Sequence, residues 1–135
     1  MALVECELAR VVMSETRHRQ VIVLKEKNGE RKMPILIGPS EVFALDRVIN
    51  NYVPPRPLTH ELFGSVLDAL GVTVERVVIT ELVETTYFAR LILKRNGRTY
   101  DIDSRPSDAI VLAAQKSAPI FVEDAVLAEG MREYA

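Results

Sequence analysis

Asn96-Gly97-Arg98-Thr99-Tyr100-Asp101-Ile102-Asp103-Ser104-Arg105-Pro106-Ser107-Asp108 reads as a turn, a strand and a helix start in succession. The same order stands earlier in the chain as Asn28-Gly29, Pro34-Ile35-Leu36-Ile37-Gly38 and Pro39-Ser40-Glu41. The two turns lie 68 residues apart and the two helix prolines 67, so the spacings agree to one residue. Asn-Gly suits the positive φ angles of a tight hairpin, and proline suits the first helical position. An acid two residues after that proline faces the positive end of the helix. Working backwards, Val11-Val12-Met13 falls opposite Val77-Val78-Ile79, and Val21 to Leu24 opposite Ala89 to Leu93 with a one-residue slip. The pattern predicts an α+β fold: internally duplicated βββα units forming a mixed, mainly antiparallel sheet packed by helices, in a single domain.

Positions alike in both halves answer to shared folding, whereas positions that differ are free for another task. The difference is concentrated before the second helix, where Pro34-Ile35-Leu36-Ile37-Gly38 is answered by Asp101-Ile102-Asp103-Ser104-Arg105. An apolar strand end has become a charged one.

Strands are expected over Val4 to Met13, Arg19 to Glu26 and Arg31 to Ile37, then a helix from Pro39 to about Asn51 with an apolar stripe of Val42, Leu45, Val48, Ile49 and Tyr52. Pro54-Pro55-Arg56-Pro57 forms a stiff extended seam, because proline locks φ and removes an amide donor. A helix follows with Thr59 as N-cap, Leu58 and Phe63 as a hydrophobic staple, Glu61 in its first turn and Gly71 as its stop. The second copy supplies strands over Thr73 to Val83, Thr86 to Arg95 and Arg98 to Asp103, a helix from Arg105 to Lys116, and a final strand at Ala118 to Val122. The repeat halves thus span about 3–52 and 72–117, joined by the seam and helix of 54–71. The domain is expected to cover 1–127, with a turn of helix over Ala125 to Ala128 opening a frayed tail of 128–135. The run Ala109-Ile110-Val111-Leu112-Ala113-Ala114 is apolar all round, which predicts cover on two sides: the sheet on one, the Thr59 helix or a second subunit on the other.

A chain of 135 residues can bury a real core without a disulfide or metal staple. Its one cysteine, Cys6, lies in a strand and reads as a buried thiol. No apolar stretch reaches the roughly 20 residues of a membrane span, and Met1 to Glu5 lacks the basic start of a secretory signal, so a cytoplasmic protein is expected. The net charge of −2 gives no global attraction to nucleic acid; any such binding must come from a local patch.

Asp101 and Asp103 share one face of a strand and can hold Mg²⁺ or Mn²⁺ through one or two oxygens, or form the polar face of an edge strand. Asp108, like its counterpart Glu41, is accounted for by charge complementarity at a helix start, and Ser104 and Ser107 read as capping hydroxyls. Arg105 replaces Gly38 at a helix entrance and can bind phosphate or pair with a neighbouring acid; Arg56, clamped between prolines, offers the same choice. His60, beside Glu61, has the chemistry of a general base or a packed histidine, and His18 sits in a basic turn open to solvent. Both hairpin tips are basic, with Lys25, Lys27, Arg31 and Lys32 at one and Lys94, Arg95 and Arg98 at the other, so they can grip phosphates from two directions or serve as solvated turns.

Four motifs in order, Met33-Pro34-Ile35-Leu36-Ile37-Gly38, Arg56-Pro57-Leu58-Thr59-His60-Glu61, Asp101-Ile102-Asp103-Ser104-Arg105-Pro106-Ser107-Asp108-Ala109 and Ala118-Pro119-Ile120-Phe121-Val122, resemble the bifunctional nuclease domain family. The resemblance reaches about Leu127 and implies a dimeric α+β domain that cleaves DNA and RNA. Some relatives add a C-terminal segment resembling a UvrB/UvrC interaction motif, and none is expected here. Two functions follow. One is a metal-assisted phosphodiesterase with His60, Glu61, Asp101 and Asp103 as catalytic residues, Asp101 and Asp103 holding Mg²⁺ or Mn²⁺, Arg56 and Arg105 on the phosphate, and no organic cofactor. The other is a non-catalytic homodimeric binding or regulatory module in which the same residues are structural.

Overall fold

The computed structural model describes residues 2–13 and 20–134. Its elements run β1 (Leu3–Met13), β2 (Gln20–Glu26), β3 (Lys32–Ile37), α1 (Pro39–Ile49), α2 (Thr59–Ala69), β4 (Thr73–Val83), β5 (Thr86–Arg95), β6 (Arg98–Ser104), α3 (Pro106–Lys116), β7 (Ile120–Glu123) and α4 (Asp124–Tyr134). The order βββα therefore occurs twice. The strands form one sheet in the order β3-β2-β1-β7-β4-β5-β6, antiparallel throughout except where β7 runs parallel to β4. The short strand β7 is the joint: it pairs with β1 through Leu3 to Cys6 and with β4 through Val77 to Ile79.

Alternation sets the faces of the second half. Leu91 lies opposite Ile102 and Ile92 opposite Asp101 across β5 and β6. Leu91 belongs to the core shared with α3, so Asp101 and Asp103 point away from that core. The core gathers Ile22, Leu24, Met33, Leu45, Ile79, Ile110, Leu112 and Leu127, all nearly sealed from solvent.

The apolar helix α3 finds its cover within the chain. Ala109 to Ala113 are buried among the sheet, α1 and α2. Gly64 permits the α2 approach, since a Cβ there would collide with the side chain of Gln115. By contrast, α2 buries only Gly64 and Leu67 and leaves Leu62, Phe63, Val66 and Leu70 exposed.

Three local expectations change. Of the two Asn-Gly pairs, Asn96-Gly97 adopts the paired positive φ angles, 49° and 75°, whereas Asn28-Gly29 sits in a longer loop between Glu26 and Lys32, where the Lys25 ammonium donates to the Gly29 carbonyl. The N-cap of α2 is Leu58 rather than Thr59, and the Glu61 carboxylate accepts the Leu58 N–H at 3.1 Å. The residues after Glu123 form the full helix α4, whose Val126 and Leu127 enter the core and whose Gly130 lets it rest against Met33 and Tyr87. His18 lies outside the described residues.

Candidate active site

Helices α1 and α3 start at the ends of β3 and β6, and Pro39 and Pro106 fix φ at their first turns. The two helices pack on each other, so the acids of those turns, Glu41 and Asp108, come close. Arg105, the N-cap of α3, joins them: its Nη2 donates to Glu41 Oε1 and its Nε to Asp108 Oδ2 at 2.9 Å. These bonds hold the guanidinium more firmly protonated than usual, Glu41 contributing first and Asp108 second. The Nη1 donors enter none of these bonds, and the side chain is 64% exposed, so Arg105 retains a free pair of N–H groups for a ligand.

The seam delivers the fourth member. The Nε2 of His60, in the first turn of α2, lies 2.9 Å from Asp108 Oδ1. Gln115 of α3 anchors this turn by donating to the His60 carbonyl at 2.9 Å. With Asp108 accepting the Nε2 proton, the Nδ1 lone pair of the neutral ring is left as a proton acceptor. A carboxylate that fixes the tautomer of an imidazole in this way is the orienting pair of a general base.

These residues line an open groove of about 860 Å³, with Asp103 and Ser104 on its rim and Phe43, Leu58 and Phe63 as apolar wall. Glu41 is 7% exposed, an acid sealed at the base of the cluster with Arg105 as its partner.

The other expected site residues are placed differently. Glu61 accepts two hydrogen bonds from Arg47, at 3.0 and 3.2 Å. Burial pushes its carboxyl up, but Arg47 and the Leu58 N–H outweigh this and hold it below the ordinary glutamate range, which is the behaviour of a helix lock. Arg56 is exposed, outside the groove and without an ion-pair partner among the described residues.

Asp101 and Asp103 converge on Arg90, opposite Asp103 on β5. Its Nε donates to Asp101 Oδ1 at 2.6 Å, and its Nη1 lies 3.7 Å from Asp103 Oδ1. The position a divalent cation would take between the two carboxylates is thus held by a guanidinium. Among the described residues no three His, Cys, Asp or Glu side chains are grouped to hold a metal. A resident ion would take this place only by displacing Arg90.

At the first hairpin tip Lys25 is bound to the Gly29 carbonyl, Lys27 pairs with Glu5, and Arg31 pairs with Glu26 and Asp124. The second tip belongs to the opposite edge of the sheet, so the two cannot close on one phosphate.

Sequence reasoning read Asp108 as a weaker candidate than the β6 pair, because helix electrostatics accounts for it and for Glu41. The signal that they meet was present in the repeat itself: two acids at matching helix starts converge when the two helices pack together.

A family model described as a bifunctional nuclease domain matches residues 22–134. An uncharacterized protein of Mycobacterium tuberculosis is 38% identical over 125 residues, which cover 93% of this chain and 74% of its own length. Bifunctional nuclease 2 of Arabidopsis thaliana is 33% identical over 116 residues, 82% of this chain and 35% of its own length. Bifunctional nuclease 1 of Oryza sativa subsp. indica is 30% identical over 108 residues, 78% of this chain and 33% of its own. The chain spans about a third of the length of these plant relatives.

Proposed function

This chain belongs to the bifunctional nuclease domain family, and on that premise we propose that it hydrolyses phosphodiester bonds of DNA and RNA in the groove shared by His60, Asp108, Arg105 and Glu41. The observation that carries the reading is the 2.9 Å bond from His60 to Asp108, with Arg105 bound to the other oxygen of the same carboxylate.

His60 Nδ1 takes a proton from the attacking water as its oxygen bonds to phosphorus and the P–O bond to the leaving sugar oxygen breaks; Asp108 stabilises the imidazolium that forms, and solvent water protonates the leaving oxygen. Arg105 directs its free Nη1 donors at the non-bridging phosphate oxygens, where charge grows in the transition state. Glu41 and Asp108 fix the guanidinium in place, so little reorganisation accompanies that contact. Water as nucleophile suits both substrates, since DNA has no 2′-hydroxyl to attack from within.

Metal dependence through Asp101 and Asp103 is a second reading, favoured by the place of Asp103 on the groove rim. An ion there has to displace Arg90. A homodimer is the expected assembly, supported by the exposed apolar face of α2 beside the groove. No helix among the described residues is long and apolar enough to cross a membrane. The buried free thiol of Cys6, pushed up to about 11 by burial and by Glu26, suits the reducing cytoplasm.

The test is cleavage of single-stranded DNA and RNA oligonucleotides by purified protein with Mg²⁺, Mn²⁺ or EDTA, sedimented in parallel for its oligomeric state. His60→Ala and Asp108→Asn are each expected to lower the rate by about 10²- to 10⁴-fold with the circular dichroism unchanged. Loss in EDTA and in Asp101→Ala/Asp103→Ala instead moves the chemistry to the β6 pair. Cutting that survives all of these substitutions overturns the site, and no cutting by wild type favours the binding module.

A further inference from the structure

Arg105 borders a second cleft, of about 320 Å³, that His60 does not line. Leu36, Pro106 and Tyr87 line it together with the hydroxyl residues Thr85, Thr86 and Ser107. Ser107 is only 7% exposed, and its hydroxyl has no hydrogen-bond partner among the described residues. Its Oγ is not among the sealed polar atoms left without a partner, so it meets the solvent of the cleft and can donate to or accept from a ligand there. At the other extreme Leu36 is 62% exposed, an aliphatic side chain held at the cleft mouth.

The charge around this cleft disfavours a bare anion. The positive ends of the two adjoining helices already have acids: Glu41 folds back over Gly38 at the start of α1, and Asp108 sits in the first turn of α3. Aliphatic walls with a few hydroxyls and one guanidinium at the rim suit a neutral planar group with polar edges. Such a group is a nucleobase. A strand whose phosphate lies on Arg105 has its adjacent base within reach of the cleft, because the same side chain borders both spaces.

We infer that the Ser107 cleft is a nucleotide subsite that takes one unpaired base of the strand whose phosphodiester lies on Arg105, so that the substrate is single-stranded or locally opened nucleic acid. The inference rests on the reading of the His60 groove as a phosphodiesterase site. A base inside a duplex is stacked on both faces and cannot enter a walled cleft without being turned out of the helix.

The probe is adenosine 5′-monophosphate, titrated into the full chain and followed by NMR, with inorganic phosphate as the parallel ligand. Wild type and His60→Ala are expected to bind the nucleotide alike and more tightly than phosphate. Ser107→Ala is expected to weaken it about three- to tenfold, by loss of one hydrogen bond. Leu36→Trp, a change at an exposed position that fills the mouth, is expected to abolish binding and to raise KM for a single-stranded oligonucleotide, the loss falling on KM rather than kcat. Equal binding by wild type, Ser107→Ala and Leu36→Trp, phosphate binding as tight as the nucleotide, or no binding at all overturns the subsite. Cleavage by wild type with that result leaves the nuclease reading standing, whereas binding that Leu36→Trp abolishes in a protein that cuts nothing keeps the subsite and removes the nuclease reading.

Discussion

Ile35 and Ile102 stand 67 residues apart at matching places in the two βββα halves, yet the first is 3% exposed and the second 43%. Helix α4 lies on β3, and a Cβ on Gly130 would come within 2.6 Å of Met33 Cγ. Among the described residues no helix makes a comparable contact with β6, and Tyr100 and Ile102 stay half open. The first half is therefore closed by its own chain, while the second presents its edge strand and its charged helix entrance. Arg105, at the position where the first half has Gly38, exploits that openness by reaching across to Glu41 of the other half.

Ile35→Ala tests the contrast most severely. It opens a cavity under α4 and is expected to cost about 2–5 kcal/mol, whereas Ile102→Ala is expected to cost about 1 kcal/mol or less, both measured by urea unfolding. Equal costs mean that β6 is covered in solution by another molecule.

A smaller effect separates two hairpin turns of the second half. Asn96-Gly97 takes positive φ angles with suitable residues, whereas Glu84 and Thr85 hold φ of 48° and 70° with side chains that resist it. Glu84→Asn/Thr85→Gly is expected to stabilise the fold by about 1–2 kcal/mol, read as a rise in Tm. An unchanged Tm means that contacts of Thr85 at the cleft rim offset its strain.

The smallest effect lies in the ion cluster of the first hairpin tip. The Arg31 hydrogen bond holds the Glu26 carboxyl below its ordinary range, against the opposing pull of burial. A depressed carboxylate contributes stability that is complete above the ordinary glutamate value of about 4.3 and is lost as pH falls through the lower folded value. The Tm difference between wild type and Glu26→Gln is thus expected to be largest near neutrality and to shrink as pH falls through the lowered carboxyl value. A difference that grows in acid contradicts this sign.

Much of the fold was legible because it is written in local chemistry: the prolines at 39 and 106, the stop at Gly71 and the strand alternation set nearly every boundary. Asn28-Gly29 misled because a turn dipeptide permits a tight hairpin without requiring one, and Lys25 and Glu26 organise a longer loop there. The tail was legible only in its first turn, the one expected over Ala125 to Ala128; the helix runs on to Tyr134 because Val126 and Leu127 dock in the core, a tertiary effect that no local signal carries. At the site, His60 and Arg105 stood out by residue type and position. Asp108 did not, since its helix start explained it already; its bond to His60 spans 48 residues and exists only once α2 packs on α3. Arg90 was invisible for a similar reason, because only the register of β5 on β6 sets it against the two aspartates.

The strand that joins the halves is the last of the seven to be synthesised. A nascent chain that has not yet released residues 120–123 from the ribosome carries β1 and β4 as two unpaired edges, each a template for the wrong partner. The two halves come into register only once residues 120–123 have emerged, so the groove between them is completed after both βββα units have been made.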